Sequence, residues 1–307
     1  LYSSTLLSES LYVAVFALLL AALVDLGVRL AAPPDHVTDP WRPAAVAGAL
    51  LGATALVRPQ VLLLVPALGL AWSLGVRRRG SLRAGVVLVA AATLVIAPWT
   101  IRNAVVLGGF VPISTNGGDN LCVGFHDGAP GHFAIPAACD TGEFYVAGPA
   151  AELPRDAEPA RPARSSAAHH PGALPALSAR KLFHTYRTDA DGLRAVESYE
   201  ADRWLPDGVR LALRALSEVA WTLIAVAAVV GTGALARRWR RDPGSQPAVA
   251  TLLAVTAASA LVPVLFFGDG RFKVPTTPCL AILAAVAVVA ARDRRRDRPQ
   301  APAIESS

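Results

Sequence analysis

The sequence has no methionine, few charged residues and only three cysteines among its 307 residues. Charged residues make up 17% of the chain, whereas soluble domains usually carry about 25%. Hydrophobic residues make up 53%, and the mean hydropathy is +0.43. This balance argues against a soluble domain and indicates a chain that crosses a membrane several times. Because a complete reading frame begins with methionine and this chain begins with Leu1, we expect that upstream sequence is missing.

Several motifs of soluble enzymes are also missing: the phosphate loop G-x-x-x-x-G-K-[ST], the zinc-protease motif H-E-x-x-H and the hydrolase motif G-x-S-x-G. With three thiols and no C-x-x-C spacing, a structural zinc site is not expected, and we assign no metal ligand. The net charge of +6 does not indicate nucleic acid as a partner, because the arginines cluster in 77–83, 236–241 and 292–298, each beside an apolar run. Such positions are typical of charges that set membrane topology.

Apolar runs long enough to cross a bilayer core of about 30 Å recur along the chain. Arg58-Pro59 divides the run from 44 to 76, and since proline disfavours a continued helix, we favour a hairpin over one long kinked helix there. The sequence therefore predicts an all-α polytopic membrane protein with about seven transmembrane helices and one large extracytoplasmic loop that contains short helices. The predicted spans are 10–28, 44–57, 60–76, 84–101, 217–235, 248–267 and 275–291.

The three basic clusters predict the orientation, because arginine and lysine are enriched in cytoplasmic segments. With 77–83, 236–241 and 292–298 in the cytoplasm, residues 1–101 hold four spans and 102–216 form the extracytoplasmic loop. Residues 217–291 then hold three spans, and 292–307 form a basic cytoplasmic tail. We expect a multi-pass protein of the plasma membrane.

The predicted loop is uneven along its length. Residues 104–148 predict strand-like or extended pieces, whereas 149–176 are rich in proline and alanine and predict a mobile or disordered connector. Residues 177–216 return to an amphipathic pattern and predict helices along the outer membrane face.

The cysteines divide into two groups by position. Cys122 and Cys139 both fall in the loop, where a disulfide persists if the loop is external, and we predict that they pair. Cys279 falls within a span and predicts a small packing residue.

Four cations fall at the ends of spans or in short loops on the predicted outer side, where positive charge should be scarce. They are Arg58, Arg102, Arg271 and Lys273. Any one of them could extend to lipid headgroups. Because four of them reach the same leaflet, we favour a shared anionic ligand. A lipid phosphate fits this depth, since an arginine fork binds two phosphate oxygens.

Amide side chains near these cations could add hydrogen bonds to a sugar or a phosphate. The candidates are Asn103, Asn116 and Asn120, the last two in the segment N-G-G-D-N. That segment is equally well explained as a tight turn, because glycine and asparagine tolerate positive φ.

Four pieces, in their order, carry a family resemblance: L-L-S-E-S-L-Y (6–12), G-A-L-L-G-A-T-A-L-V-R-P-Q (48–60), P-W-T-I-R-N-A-V-V-L-G-G-F-V-P-I-S-T-N-G-G-D-N-L (98–121) and G-R-F-K-V-P-T-T-P (270–278). In this order the chain resembles the GT-C membrane glycosyltransferases, in particular the branch of protein O-mannosyltransferases and aminoarabinose transferases. The third piece is the most specific, and the resemblance covers most of the chain except the connector.

The resemblance implies an enzyme that takes a sugar from a polyprenyl-phosphate donor and transfers it to a glycan, lipid or protein acceptor on the outer face. Some members of the family use a divalent cation. The acidic catalytic residue of the family lies in a loop that we expect upstream of Leu1, so no general base is assigned. Glu9 belongs to the first matching piece and is interpreted as a structural or secondary site residue.

Two other classes remain open. A transporter or flippase of lipid-linked sugars would also carry outer cations, but it should place polar or charged residues in mid-span. A non-catalytic membrane scaffold would not require cations on the arginine-poor side.

Overall fold

The structure is a computed structural model that describes residues 8–31, 40–75, 78–137, 139, 149–197, 203–242 and 245–296. Within these ranges the chain forms twelve α-helices and no strand. The helices are α1 (Ser8–Ala31), α2 (Trp41–Val57), α3 (Leu64–Gly75), α4 (Arg78–Leu107), α5 (Gly117–Phe125), α6 (Pro149–Ala157), α7 (Ala160–His169), α8 (Leu174–Tyr186), α9 (Asp191–Val196), α10 (Asp207–Arg241), α11 (Gln246–Leu265) and α12 (Thr277–Arg296). Short 3₁₀ helices at Pro59–Leu63, Pro171–Ala173 and Gly270–Thr276 precede α3, α8 and α12.

Five of the described helices, α1, α4, α10, α11 and α12, are long and apolar enough to cross a membrane. The two apolar helices at Trp41–Val57 and Pro59–Ser73 are shorter. This architecture is consistent with an all-α multi-pass membrane protein. The predicted break at Arg58-Pro59 is present, because α2 ends at Val57 and Arg58 takes an extended conformation with φ −147° and ψ 109°. The two arms pack on other helices, α2 on α1 and α4, and α3 mainly on α11.

The long helices place their ends in two groups. The start of α1, the end of α2 and the end of α11 lie around one cavity, which Ser8, Arg58 and Phe266 help to line. We call this the cavity end of the bundle. At the opposite side, the end of α1 meets the start of α11, where a β-carbon on Gly27 would lie 2.7 Å from the Thr251 hydroxyl oxygen. The basic end of α10 lies beside them, because Gln246 at the start of α11 donates to the Trp239 carbonyl over 3.0 Å.

Small residues let the helices of the bundle approach closely, as membrane helices require. In the G-x-x-x-G pair of α2, a β-carbon on Gly48 would lie 2.2 Å from the Leu88 carbonyl oxygen of α4. A β-carbon on Gly52 would lie 2.7 Å from the Ala92 carbonyl oxygen. Packing therefore joins α2 to α4 nearly backbone to backbone.

Two other contacts tie the bundle together. The indole of Trp72 on α3 donates to the Thr251 hydroxyl of α11 over 2.9 Å, and both residues are buried. Helix α10 packs on α12, where a β-carbon on Gly231 would lie 1.8 Å from the Leu283 carbonyl oxygen.

The region between α4 and α10 corrects three predictions. The disordered connector was wrong, because 149–169 hold α6 and α7, and Ala160 and Ala163 of α7 are buried. Of the strand-like or extended pieces predicted in 104–148, the strand-like alternative was wrong for the described residues, since these contain α5 and, as their only bridge, an isolated one between His132 and Gly268. Residues 207–216 begin the 35-residue helix α10 rather than a separate surface helix.

Other predictions for this region agree with the structure. The loop does contain short helices, and α8 is amphipathic, with Leu177, Lys181 and Thr185 buried on one face. Cys122 and Cys139 form a disulfide. Residues 297–307 of the basic tail lie outside the described residues.

Candidate polar cavity at one end of the bundle

A cavity of about 690 Å³ lies at the cavity end, between the α2–α3 turn, the start of α5 and the segment that joins α11 to α12. Arg58, Asn116, Asn120 and Arg271 all line it. Four of the seven residues predicted to bind a lipid phosphate therefore share one site, although Arg58 and Arg271 are more than two hundred residues apart in sequence.

The α2–α3 turn presents Arg58 to the cavity. Its Nη2 atom lies 2.5 Å from a carboxylate oxygen of Glu9 and donates to the Ser8 hydroxyl over 3.1 Å, both on α1. The Glu9 side chain is only 4% exposed, so the pair is largely shielded from solvent. Two other donors of the wall, Arg58 Nε and Gln60 Nε2, are buried and have no hydrogen-bond partner within the described part of the chain. Buried donors are rarely left unpaired, so these two atoms favour a polar ligand at this wall.

The end of α4 shapes a second wall by holding the backbone of 111–113. Trp99 donates from its indole to the Ile113 carbonyl over 2.8 Å, and Thr100 donates to the Pro112 carbonyl over the same distance. Asn103 donates to the carbonyls of Val111 and Ile113, each over 3.2 Å. The P-W-T-I-R-N piece thus works locally as a clamp, which brings the following residues 114–117 to the cavity.

Helix α5 begins at this wall and is anchored from two sides. Asp156 on α6 accepts a hydrogen bond from the Gly118 backbone N–H over 2.6 Å, and Glu152 accepts one from the Thr115 hydroxyl over 2.9 Å. A carboxylate at a helix N-terminus is favourable, because it pairs an otherwise unsatisfied N–H and meets the positive end of the helix dipole. The Cys122–Cys139 disulfide ties the same helix to the chain that follows it.

Arg271 reaches the cavity from the 3₁₀ turn between α11 and α12. Asp269 caps this turn by accepting the Arg271 backbone N–H over 2.8 Å, and the same oxygen lies 3.4 Å from the guanidinium Nε. Asp191 lies close behind. Burial, and to a lesser degree the nearby Asp269 carboxylate, raise the pKa of Asp191.

Three predicted ligand residues lie elsewhere. Arg102 is exposed, does not line the cavity, and sits with its guanidinium carbon 5.1 Å from the centre of the Trp99 ring. Asn103 is buried in the clamp.

Lys273 is likewise removed from the cavity. It is buried, lies 2.6 Å from the Asp189 carboxylate, and also donates to the Thr188 carbonyl and faces the Trp221 ring. The convergence of four cations is therefore corrected to two, because folding supplies Lys273 with partners from distant segments.

A second buried lysine was missed by the sequence reasoning. Lys181 on α8 is fully buried, donates to the Val264 carbonyl over 3.2 Å and lies 3.3 Å from the centre of the Phe125 ring. Burial lowers the pKa of this ammonium to about 7. It joins α8 to the ends of α5 and α11, and thus supports the cavity from behind.

An apolar groove follows the gap between α3 and α4. A pocket of about 360 Å³ shares Leu62 and Pro112 with the polar cavity, and a second of about 790 Å³ shares Val65 and Val89 with the first. The three therefore lie end to end. Gly69 and Gly85 both line the larger of the two apolar pockets, and a β-carbon on either would meet nothing within 4 Å.

Among the residues that the structure describes, no group of three or more His, Cys, Asp and Glu side chains could hold a metal ion. The geometry thus gives no ligand set for a divalent cation, and the cavity chemistry is that of arginine, amide and hydroxyl donors.

Comparisons of this chain with family models, with curated proteins and with solved structures found no match.

Proposed function

We propose that this chain is a membrane glycosyltransferase, or part of one, that binds a polyprenyl-phosphate-linked sugar with its phosphate in the polar cavity. The observation that carries the proposal is that the polar cavity is continuous with the apolar groove. A cavity with two arginines and several amide donors continues into an apolar groove along α3 and α4.

This combination fits an amphiphile with an anionic head. Arg58 and Arg271 supply charge-assisted hydrogen bonds to phosphate oxygens, which are stronger than bonds between neutral groups. Asn116 and Asn120 stand on the same wall, where they could bind the hydroxyls of a sugar. The groove would take the first isoprene units, because its walls are almost wholly apolar.

The same residues suit sugar transfer. When the bond from the sugar to the phosphate oxygen breaks, the electron pair stays on that oxygen and the phosphate gains negative charge. Donors already in place for that charge stabilise the transition state. Orientation by the positive-inside rule puts the cavity end on the outer face of the plasma membrane, where a glycan, lipid or protein would be the acceptor.

The test is lipid binding by the purified full chain in nanodiscs, with polyprenyl phosphate as the probe. Arg58→Gln and Arg271→Gln should each weaken binding by about tenfold or more, whereas Arg164→Gln, an exposed arginine on α7, should bind as the wild type does. Gly69→Leu and Gly85→Leu should also weaken binding by filling the groove. Equal binding by the cavity variants and the Arg164 control would overturn the phosphate site.

A flippase of lipid-linked sugars would bind the same probe. The two functions separate in an assay that supplies a polyprenyl-phosphate sugar labelled in the sugar. A transferase moves the label to a new acceptor, whereas a flippase moves the intact lipid between leaflets.

A further inference from the structure

Each arginine of the cavity is paired with a carboxylate. Glu9 lies 2.5 Å from Arg58, and Asp269 lies 3.4 Å from Arg271. Neither carboxylate belongs to the cavity wall, which Ser8 and the two arginines reach. The acids therefore stand behind the cations, as seen from a ligand in the cavity.

This pairing sets the charge that a ligand meets. Two guanidinium groups and two carboxylates sum to a formal charge of zero, so the cavity offers strong donors without a large net positive charge. Arg58 shows how this works, since Nη2 serves Glu9 and Ser8 while Nε has no partner among the described residues. A guanidinium has five N–H donors and can bind two anions at once.

Two phosphates with the same lipid tail can differ in charge. A phosphodiester, such as a sugar-phosphate-lipid, carries one negative charge, whereas a phosphomonoester carries about 1.5 to 2 negative charges at pH 7. Each extra charge is attracted by the arginines and repelled by the carboxylates behind them. Neutralising the arginines therefore lowers the advantage of the more highly charged monoester.

We propose that Glu9 and Asp269 are specificity-determining residues, which lower the positive charge of the cavity and so reduce its preference for a lipid phosphomonoester over the phosphodiester of the same lipid. This rests on the proposed function. Sugar transfer converts the diester donor into a monoester. The acceptor hydroxyl oxygen forms a bond to the anomeric carbon of the sugar, the bond from that carbon to the phosphate oxygen breaks with its electron pair left on the phosphate oxygen, and the hydroxyl proton passes to solvent. The same charge balance would then favour exchange of the spent lipid for a new donor.

A simpler role must be separated from this one, because Glu9 also holds Arg58 in place. If holding were its only role, loss of the carboxylate would weaken the binding of both lipids to the same degree. If it selects by charge, its loss would change the two affinities unequally. The amide variants Glu9→Gln and Asp269→Asn keep an oxygen acceptor while removing the charge, so they suit the comparison.

The experiment measures the affinity of the full chain in nanodiscs for polyprenyl phosphate and for its methyl ester, which share tail and phosphate but differ in charge. Wild type should show a smaller preference for polyprenyl phosphate over its methyl ester than either amide variant does. Each amide variant should shift the ratio of the two affinities towards the monoester by about tenfold, as expected for one unit charge about 7 Å away in a partly hydrated site. Asp25→Asn is the matched control, because Asp25 pairs with Arg29 over 2.7 Å on the same helix as Glu9 but about 24 Å further along it.

An unchanged ratio in Glu9→Gln and Asp269→Asn, or an equal loss of both lipids, would overturn the inference. Failure of the wild type to bind either lipid would instead overturn the proposed function, so the two failures are distinguishable.

Discussion

The contact between α2 and α4 gives the most direct test of the fold that positions the cavity. Replacing Gly48 by alanine would place a β-carbon 2.2 Å from the Leu88 carbonyl oxygen and 2.8 Å from the Ala91 β-carbon. Both obstacles belong to backbone or to a side chain without rotamers, so neither can turn away. The two helices would have to separate by about 1 Å, and overpacking of this kind typically costs about 1–3 kcal/mol. We therefore expect the free energy of unfolding of Gly48→Ala to be about 2 kcal/mol lower than that of a helical glycine-to-alanine variant whose β-carbon meets no obstacle.

The measurement is unfolding of the detergent-solubilised protein in increasing SDS, followed by the fluorescence of its six tryptophans. Gly85→Ala on α4 is the matched control, because a β-carbon there meets nothing within 4 Å. Alanine favours a helix over glycine by about 0.8–1 kcal/mol, so this control should be as stable as the wild type or slightly more stable. If Gly48→Ala and Gly85→Ala unfold alike, the close α2–α4 contact is wrong.

Separation of α2 from α4 should also change the geometry of the cavity, because Arg58 follows the end of α2 and α4 holds the backbone of 111–113. Gly48→Ala should therefore weaken polyprenyl phosphate binding as well as stability. Gly52→Ala, with a β-carbon 2.7 Å from the Ala92 carbonyl oxygen, should act more mildly. The double variant should cost less than the sum of the two, since both substitutions open the same interface.

Three further predictions concern the support of the cavity. Replacing Cys122 and Cys139 by alanine opens a loop with a sequence separation of 17, and should cost about 3 kcal/mol in non-reducing thermal unfolding and leave a stability that reductant does not change. Cys279→Ala removes a buried free thiol but keeps the disulfide, so reductant should lower its stability as it lowers that of the wild type. The pKa of Lys181 falls from 10.5 in the unfolded chain to about 7 in the folded chain, so the unfolded chain binds more protons between these values and stability should rise with pH above about 7. Lys181→Met should be more stable than the wild type at pH 6 and should lack this rise. If the stabilities of the variant and the wild type change in parallel with pH, the lowered pKa of Lys181 is contradicted. Asn103→Ala leaves the Val111 and Ile113 carbonyls without their shared donor and should lower stability by about 1–3 kcal/mol. The loss should appear as faster amide hydrogen exchange across 111–114, and unchanged exchange there would contradict the role of Asn103.

Five of the seven predicted spans coincide with helices that are long and apolar enough to cross a membrane, because the pattern that selects such a helix is local. The break at Arg58 was also predicted from a proline, although Pro98 and Pro263 lie inside α4 and α11 without ending them. Helix ends were less predictable. Helix α4 continues past Arg102 to Leu107, and Gly108, with φ +72°, ends it. Helix α10 begins ten residues before its apolar part, because helix formation continues through polar residues once a span supports it.

Residues 149–169 show why composition misled the prediction of disorder. Proline and alanine gave no clear apolar period, yet alanine is the best helix former, and Ala160 and Ala163 lie one turn apart against α5. The spacing of those two alanines was a usable signal. The contact of Asp156 with the Gly118 backbone could not be predicted, because the sequence of neither segment indicates that the other lies beside it in the fold.

The cavity was predictable only in part for the same reason. Arg58 and Arg271 could be placed at the same depth from topology alone, but Gln60 and the aromatic wall at Phe266 and Phe272 gave no separate signal. Lys273 stands two residues from Arg271, so the sequence could not tell which of the two would meet a carboxylate from the loop at Asp189.

The partners of Arg58 and Lys273 explain why Arg58, and not Lys273, keeps a donor for a ligand. Lys273 has three donors, and it meets a carboxylate, a backbone carbonyl and an aromatic face, whereas Arg58 has five and keeps Nε without a partner among the described residues. Arg58→Lys should therefore retain the ion pair with Glu9 and most of the stability, yet bind polyprenyl phosphate about tenfold more weakly, because an ammonium occupied by Glu9 has no planar fork left for phosphate. The control is Arg102→Lys, because Arg102 is an exposed arginine at the same end of the bundle. Unfolding and lipid affinity are measured on the same preparations. Equal lipid binding by Arg58→Lys and wild type would show that charge alone, and not the second edge of the guanidinium, recognises the ligand.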